Sequence, residues 1–248
     1  MPAWCWANIR TDNIRRMRTF RNDKFIQRRA NVGRYVSLFG LGVLILGLII
    51  SFTTPELIGV SFLTLIVGFI ASQIGIYYGN RYARLDRPDE VLAKALKGFD
   101  DRYTLYQYAT PAGNVLLAPN ACYVFAIKLQ SGQIVYKDGK WRHDVGWKRF
   151  FRAFAQEGLG NPVNDVQLEV NALKRHLDRY LPGVDVPLQP VVVFGHDRAT
   201  IDANESPVPA LHVKKLKDWL RGPGKSGELT PEVREQLIAL FEPETQAP

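Results

Sequence analysis

The chain has 248 residues, a formal net charge of +8 and a sequence pI of about 9.5. This length accommodates one ordinary domain with additional segments. The two cysteines, Cys5 and Cys122, lie far apart and the four histidines are scattered, which argues against a structural zinc site or a disulfide framework.

The first 34 residues are predicted to form a basic arm next to a membrane. They contain nine arginines and lysines against two aspartates. Such an arm attracts anionic lipid headgroups and directs topology, and nonspecific binding of nucleic acid is the alternative interpretation. The arginines predicted to lie at the membrane surface flank the apolar region on both sides: Arg15, Arg16, Arg18, Arg28, Arg29, Arg34, Arg81 and Arg84.

Two charge-free runs follow and predict a transmembrane helical hairpin over residues 35–81. They cover Val36–Thr54 and Leu57–Gly79, and each is long enough to span a bilayer and apolar around its whole circumference. The pairs Gly68/Ser72 and Gly75/Gly79 permit close helix packing, within the hairpin or against another membrane protein. A buried helical hairpin of a soluble protein is the competing interpretation.

The charges around the hairpin predict its orientation. Basic residues flank both outer ends, whereas the short connection carries Glu56 and no base. Because positive loops stay in the cytoplasm, we expect a multi-pass protein of the inner (plasma) membrane with both termini cytoplasmic.

Residues 82–222 have the pattern of a soluble domain. Apolar periodicity and turn residues predict an α/β (α+β) domain with a mixed central sheet. The predicted helices cover residues 89–97, 145–156, 161–180 and a segment ending near 219, and the predicted strands cover residues 102–109, 115–118, 123–129, 133–137, 191–194 and a segment near 211. Residues 223–248 are predicted to form a linker and a last helix ending at Phe241.

An ordered series of short motifs across residues 86–215 resembles the nuclease-related domain (NERD) family. The motifs are Glu90-Val91 with Leu96, Asn114 to Asn120, Val124 to Lys128, Ser131 to Ile134, Asn161-Pro162, and Pro190 to Phe194. The resemblance implies a branch of the restriction-endonuclease-like PD-(D/E)XK fold. It also implies chemistry in which a strand acid and a Glu-x-Lys motif hold Mg²⁺ and activate water.

The positions that match the family's catalytic motif have lost its acids. The strand acid corresponds to Asn114 and the glutamate of Glu-x-Lys to Ala126, so that the catalytic candidates are Lys128 and Glu90. The family's glutamine after Asn-Pro falls near Asp165. The resemblance with these replacements predicts a noncatalytic binding or scaffolding module without a metal cofactor.

Three alternatives remain open. Glu90, Asp165 or Glu169 could replace the lost acids in a Mg²⁺-dependent nuclease, or the chain could be an accessory subunit of a membrane complex. A basic and aromatic segment predicts a surface for nucleic acid or another partner, although an ordinary amphipathic helix explains it equally well. Its basic residues are Arg142, Lys148, Arg149 and Arg152.

Overall fold

The computed structural model describes residues 16–83, 87–144, 158–222 and 229–242. The chain divides into two compact units. Among the described residues, the hairpin unit consists mainly of 23–83, and the sheet unit comprises 16–22, 88–144, 159–222 and 229–242.

The hairpin unit contains two long apolar helices. Its elements are α1 (Asp23–Thr53), a 3-10 turn (Pro55–Leu57), α2 (Ile58–Tyr78) and a π-helical turn (Gly79–Ala83). Both helical runs are long and apolar enough to cross a membrane by length and composition. Helix α1 starts thirteen residues before the predicted apolar run, because Asp23 favours the first turn and no helix breaker follows before Gly33.

Small residues at seven-residue intervals form the contact between α1 and α2. Gly33, Gly40 and Gly47 are the buried glycines of α1, and Ser61, Gly68 and Gly75 are buried on α2. A Cβ atom at Gly40 would lie 3.0 Å from the Cβ of Ala71 and 3.1 Å from the carbonyl oxygen of Gly68. The two backbones therefore approach more closely than larger side chains would allow. Gly79, predicted as one of a packing pair, has nothing within 4 Å of such an atom.

The sheet unit combines two sheets with four helices in its described part. The strands are β1 (Arg18–Arg21), β2 (Thr104–Gln107), β3 (Asn114–Leu117), β4 (Cys122–Lys128), β5 (Gly132–Lys137), β6 (Lys140–Asp144), β7 (Leu188–Phe194), β8 (Ala199–Asp202) and β9 (Ala210–His212). The helices are α3 (Pro88–Ala95), α4 (Pro162–Tyr180), α5 (Val213–Arg221) and α6 (Pro231–Phe241).

The main sheet has the order β1-β2-β3-β4-β7-β9 and is mixed, as the sequence predicted. Only β3 runs against its neighbours, so the carboxyl ends of the other five strands meet at one edge together with the start of β3. A second sheet has the order β6-β5-β8. Strands β6 and β8 were not predicted, because each is short and half-exposed and lacks an apolar run. The helix predicted over residues 145–156 lies outside the described residues.

Helices cover both faces of the main sheet. Val124 and Ala126 of β4 face α4, where they share a core cluster with Val166 and Leu173. The alternate residues of β4 pack with Leu92 of α3 and Leu216 of α5 on the other face. The central strands are consequently buried on both sides and read as continuous apolar runs.

Strand β1 revises the predicted domain boundaries. Residues 1–34 were predicted to form a separate arm, whereas β1 pairs with β2 in parallel from Arg18–Thr104 to Arg21–Gln107. Phe20 stacks on Tyr106 of β2 with ring centroids 5.5 Å apart. The hairpin is therefore an insertion in the sheet unit, between β1 and α3.

The chain leaves the sheet unit after Asn22 and re-enters it before Asp89, and both residues are hydrogen-bonded to Gln107. The backbone N–H of Asn22 donates to the carbonyl of Gln107 at 3.0 Å, and the Gln107 side chain donates to the carbonyl of Asp89 at 2.6 Å. At the other end of the sequence, Leu237 and Phe241 of α6 enter the core cluster beside α4. The last helix thus belongs to the sheet unit.

Candidate functional site

Lys128 is the last residue of β4 and forms an ion pair with Asp165. The Lys128 Nζ lies 2.6 Å from the Asp165 Oδ2, and the lysine side chain is only 12 % exposed. Asp165 lies in the first turn of α4, which begins at this sheet edge because the Asn161 side chain caps it and Pro162 suits its first position. A lysine paired in this way has its charge neutralised within the protein.

Glu169 lies one helical turn after Asp165 and binds the turn before β3. Its Oε2 accepts a hydrogen bond from the backbone N–H of Gly113. Residues four apart on a helix share one face. Asp165 and Glu169 are therefore both directed to this edge of the sheet, and each has a partner in the protein.

The register between β3 and β4 shows which residues share a face with Lys128. Val115 pairs with Val124 and Leu116 with Tyr123 in an antiparallel ladder. Continuing this register by two positions places Gly113 opposite Ala126, on the face that carries Lys128. The two strands thus present a glycine and an alanine where a metal site would need carboxylates.

Asn114 points to the opposite face of the sheet from Lys128. It is buried at 5 % exposure, and the Gln107 Nε2 lies 3.5 Å from its Oδ1. The family resemblance assigned Asn114 to the catalytic strand position, and its side chain faces away from Lys128 because neighbouring strand residues alternate between faces. The residue opposite Ala126 is Gly113. The same pairing follows from the sequence when residues are paired one by one along both strands, starting from the Pro119-Asn120 turn.

Glu90 is also separated from Lys128 by the sheet. It lies in the first turn of α3, the helix on the opposite face from α4, and its Oε1 lies 4.0 Å from the Arg21 Nη1. The structure therefore does not bring the two predicted catalytic residues together.

The residues at this edge do not fit a Mg²⁺ ion. Magnesium requires octahedral oxygen ligands, and the side chains of Gly113, Ala126 and Lys128 supply none. Asp165 and Glu169 are each bound by a protein donor. Within the described ranges, no group of three or more His, Cys, Asp or Glu side chains lies close enough to hold a metal.

The predicted basic and aromatic patch is only partly described. Arg142 forms an ion pair at 3.7 Å with Asp138, and both side chains are well exposed. Trp141 packs against Tyr136 and Phe194, with ring centroids 4.9 and 5.8 Å apart, so this ring is engaged in the core. Lys148, Arg149 and Arg152 lie outside the described residues.

The predicted membrane-surface arginines divide between the two units. Arg16 and Arg18 belong to the sheet unit, where Arg18 forms an ion pair with Glu242. The hairpin unit carries four others, and Arg15 and Arg84 lie outside the described residues. Those four are Arg28, Arg29, Arg34 and Arg81.

Residues 89–195 match the family model described as NERD, nuclease-related domain. This chain contains a nuclease-related domain. The match runs from α3 through β7 and includes Lys128, Asp165 and Glu169, and it ends before α5 and α6. No curated protein and no solved structure matches the chain. The matched domain thus occupies less than half of the chain, and the two apolar helices of the hairpin precede it in the sequence.

Proposed function

We propose that this chain is a membrane-anchored protein whose nuclease-related domain binds or scaffolds a partner without cleaving nucleic acid. The observation that carries the proposal is the pairing of Lys128 with Asp165 beside Gly113 and Ala126. A lysine that supports phosphoryl transfer must meet charge on the substrate or nucleophile. Here its charge is neutralised at 2.6 Å by a carboxylate of the same domain.

The anchor is the α1–α2 hairpin. Its outward side chains are large and apolar, for example Phe39 at 62 %, Leu48 at 55 % and Phe62 at 65 % exposure. Contiguous apolar surface of this extent is unfavourable in water and favourable in a bilayer. The basic flanks and the acidic connection at Glu56 support a multi-pass orientation with the sheet unit and both termini in the cytoplasm.

A nuclease assay on the full chain in detergent tests the proposal. Single- and double-stranded DNA and RNA would be incubated with Mg²⁺, Mn²⁺ or EDTA, and we expect no cleavage above background from protein whose thermal unfolding is cooperative. Metal-dependent cleavage that is lost in Lys128→Ala and Asp165→Asn, but retained in Arg102→Gln, would overturn the noncatalytic assignment. It would instead indicate a metal held by the acids of α4.

A labelling experiment tests the anchor. In a Cys5→Ser, Cys122→Ser background, Glu56→Cys should react with a membrane-impermeant maleimide added outside intact cells. Ser226→Cys, in the segment between α5 and α6, serves as the matched position and should react only once the membrane is opened. The reverse pattern, or release of the protein by alkaline carbonate, would contradict the proposed topology.

A further inference from the structure

Four arginines of the hairpin unit gather near one end of the helix pair. We call them the arginine layer: Arg28, Arg29, Arg34 and Arg81. The described residues from Asp23 to Ala83 contain these four, Lys24 and two acids, Asp23 at the start of α1 and Glu56 at the opposite end of the hairpin. Positive charge therefore exceeds negative charge at the end of the hairpin that carries the layer.

Arg29 is held in a defined position between the helices. Its Nη1 donates to the Tyr78 hydroxyl at 2.8 Å, and its guanidinium lies 5.2 Å from the ring centre of Phe25 and 5.6 Å from that of Tyr78. Tyr82 contacts both rings, with centroid distances of 6.1 Å to Phe25 and 6.0 Å to Tyr78. One hydrogen bond to Tyr78 uses a single donor of a guanidinium that has five, so others remain for a ligand.

The helical rise places this guanidinium at the height of phospholipid phosphates. The charge-free run of α1 begins after Arg34, and Gly33 lies against Tyr78, where a Cβ atom would be 2.8 Å from the tyrosine Cβ. At 1.5 Å per residue, Arg29 lies about 8 Å beyond the start of the apolar run. The headgroup region on each side of a bilayer is about 5–8 Å thick.

We propose that the arginine layer is a binding site for the phosphate of anionic phospholipids, with Arg29 at its centre. This inference rests on the proposed membrane insertion and adds the lipid class that the hairpin selects. Arginine suits the role because its planar fork binds two phosphate oxygens at once, whereas lysine acts as a point charge. Arg28 and Arg34 are exposed on α1 and provide further charge around the same headgroups.

The full chain in lipid nanodiscs tests the proposal. Discs would contain phosphatidylcholine alone or mixed with phosphatidylglycerol, and lipids retained by the protein after transfer to detergent would be counted by native mass spectrometry. We expect preferential retention of phosphatidylglycerol, reduced about fivefold by Arg29→Gln. Arg29→Lys should give an intermediate value, and Arg34→Gln provides a second variant that disturbs no packed side chain.

Arg102→Gln is the matched control, because it removes one positive charge from an exposed arginine of the sheet unit that pairs with Asp100. It should leave lipid retention unchanged. Equal retention of both lipids by a protein that inserts into discs would overturn the lipid site alone, whereas failure to insert would overturn the membrane anchor itself. Stabilisation of the detergent-solubilised protein by inorganic phosphate, equal to that by phosphatidylglycerol, would assign the site to a soluble phosphate instead.

Discussion

Arg18 and Glu242 are 224 residues apart in the sequence, and the Arg18 Nη2 lies 2.7 Å from the Glu242 Oε2. The other carboxylate oxygen accepts a hydrogen bond from the Tyr106 hydroxyl at 2.6 Å. Burial, followed by the hydrogen bond to Glu242, raises the pKa of Tyr106 far above its ordinary value. Three segments of the sheet unit thus meet at one buried carboxylate: the edge strand β1, the neighbouring strand β2 and the end of α6.

Removing Glu242 should cost more stability than removing Arg18. Glu242→Ala leaves the buried Tyr106 hydroxyl without its acceptor, which costs about 1–3 kcal/mol. Arg18 is about half exposed, so water screens part of its interaction, and Arg18→Ala should cost about 1 kcal/mol. Thermal unfolding of the single and double variants in detergent measures both losses. Additive losses in the double variant would show that the two residues are not energetically coupled.

The hairpin should be removable without unfolding the sheet unit. Joining Asn22 to Arg87 through a short glycine-serine linker keeps β1, and Gln107 already holds both sides of the junction. This variant should be monomeric in water, with cooperative unfolding by circular dichroism. A fragment that starts at Arg87 lacks β1, exposes the edge of β2 and the ring of Tyr106, and should be markedly less stable or aggregate. Equal stability of the two proteins would contradict the role of β1.

Bulk at the helix–helix contact should loosen the hairpin. Gly40→Leu forces a side chain into the space beside Ala71 and Gly68, and overpacking of this kind costs about 1–3 kcal/mol. Gly42→Leu is the matched control, because nothing lies within 4 Å of a Cβ atom there. Thermal unfolding in detergent should show a lower midpoint for Gly40→Leu alone. Similar midpoints for the two variants would contradict the glycine contact.

Cys122 should be unreactive in the folded protein. It is fully buried in β4, and burial raises the pKa of its thiol to about 12. At pH 8 the thiolate that attacks disulfide reagents is therefore almost absent in the native state. In a Cys5→Ser background, colour release from an aromatic disulfide reagent should be negligible until denaturant is added, and rapid reaction without denaturant would contradict the burial.

The same pKa shift predicts a loss of stability in alkali. The unfolded thiol ionises near its ordinary pKa of 9.0, whereas the folded one stays protonated up to about 12. The contribution of the buried thiol to the free energy of unfolding is therefore fully present below about pH 9 and declines as the pH rises from there towards 12. Cys122→Ala should reduce the pH dependence of the unfolding midpoint over this interval. If the midpoint of the variant falls with pH as steeply as that of the unchanged protein, the predicted effect of the thiol is contradicted.

Local sequence patterns determined the elements whose signals are strong and short in range. The charge-free runs predicted the hairpin, Asn161-Pro162 predicted the start of α4, and the run ending at Phe194 predicted a buried central strand, because each signal lies within one element. The ordered motifs likewise indicated the nuclease-related domain, which the match over residues 89–195 confirmed. The sequence also shows directly that β3 and β4 contain no acidic residue.

Only the tertiary structure decided how distant segments combine. Nothing near Arg18 indicates a strand, because β1 has four residues and depends on β2, Tyr106 and Glu242 for its pairing. The faces of the candidate site also depend on strand pairing: side chains alternate across a sheet, so that Gly113 lies opposite Ala126 and Asn114 faces away from Lys128. The pairing of Lys128 with Asp165 likewise requires α4 to return over β4 after more than thirty intervening residues. Contacts of this range depend on the packing of the whole sheet unit, which no local pattern encodes.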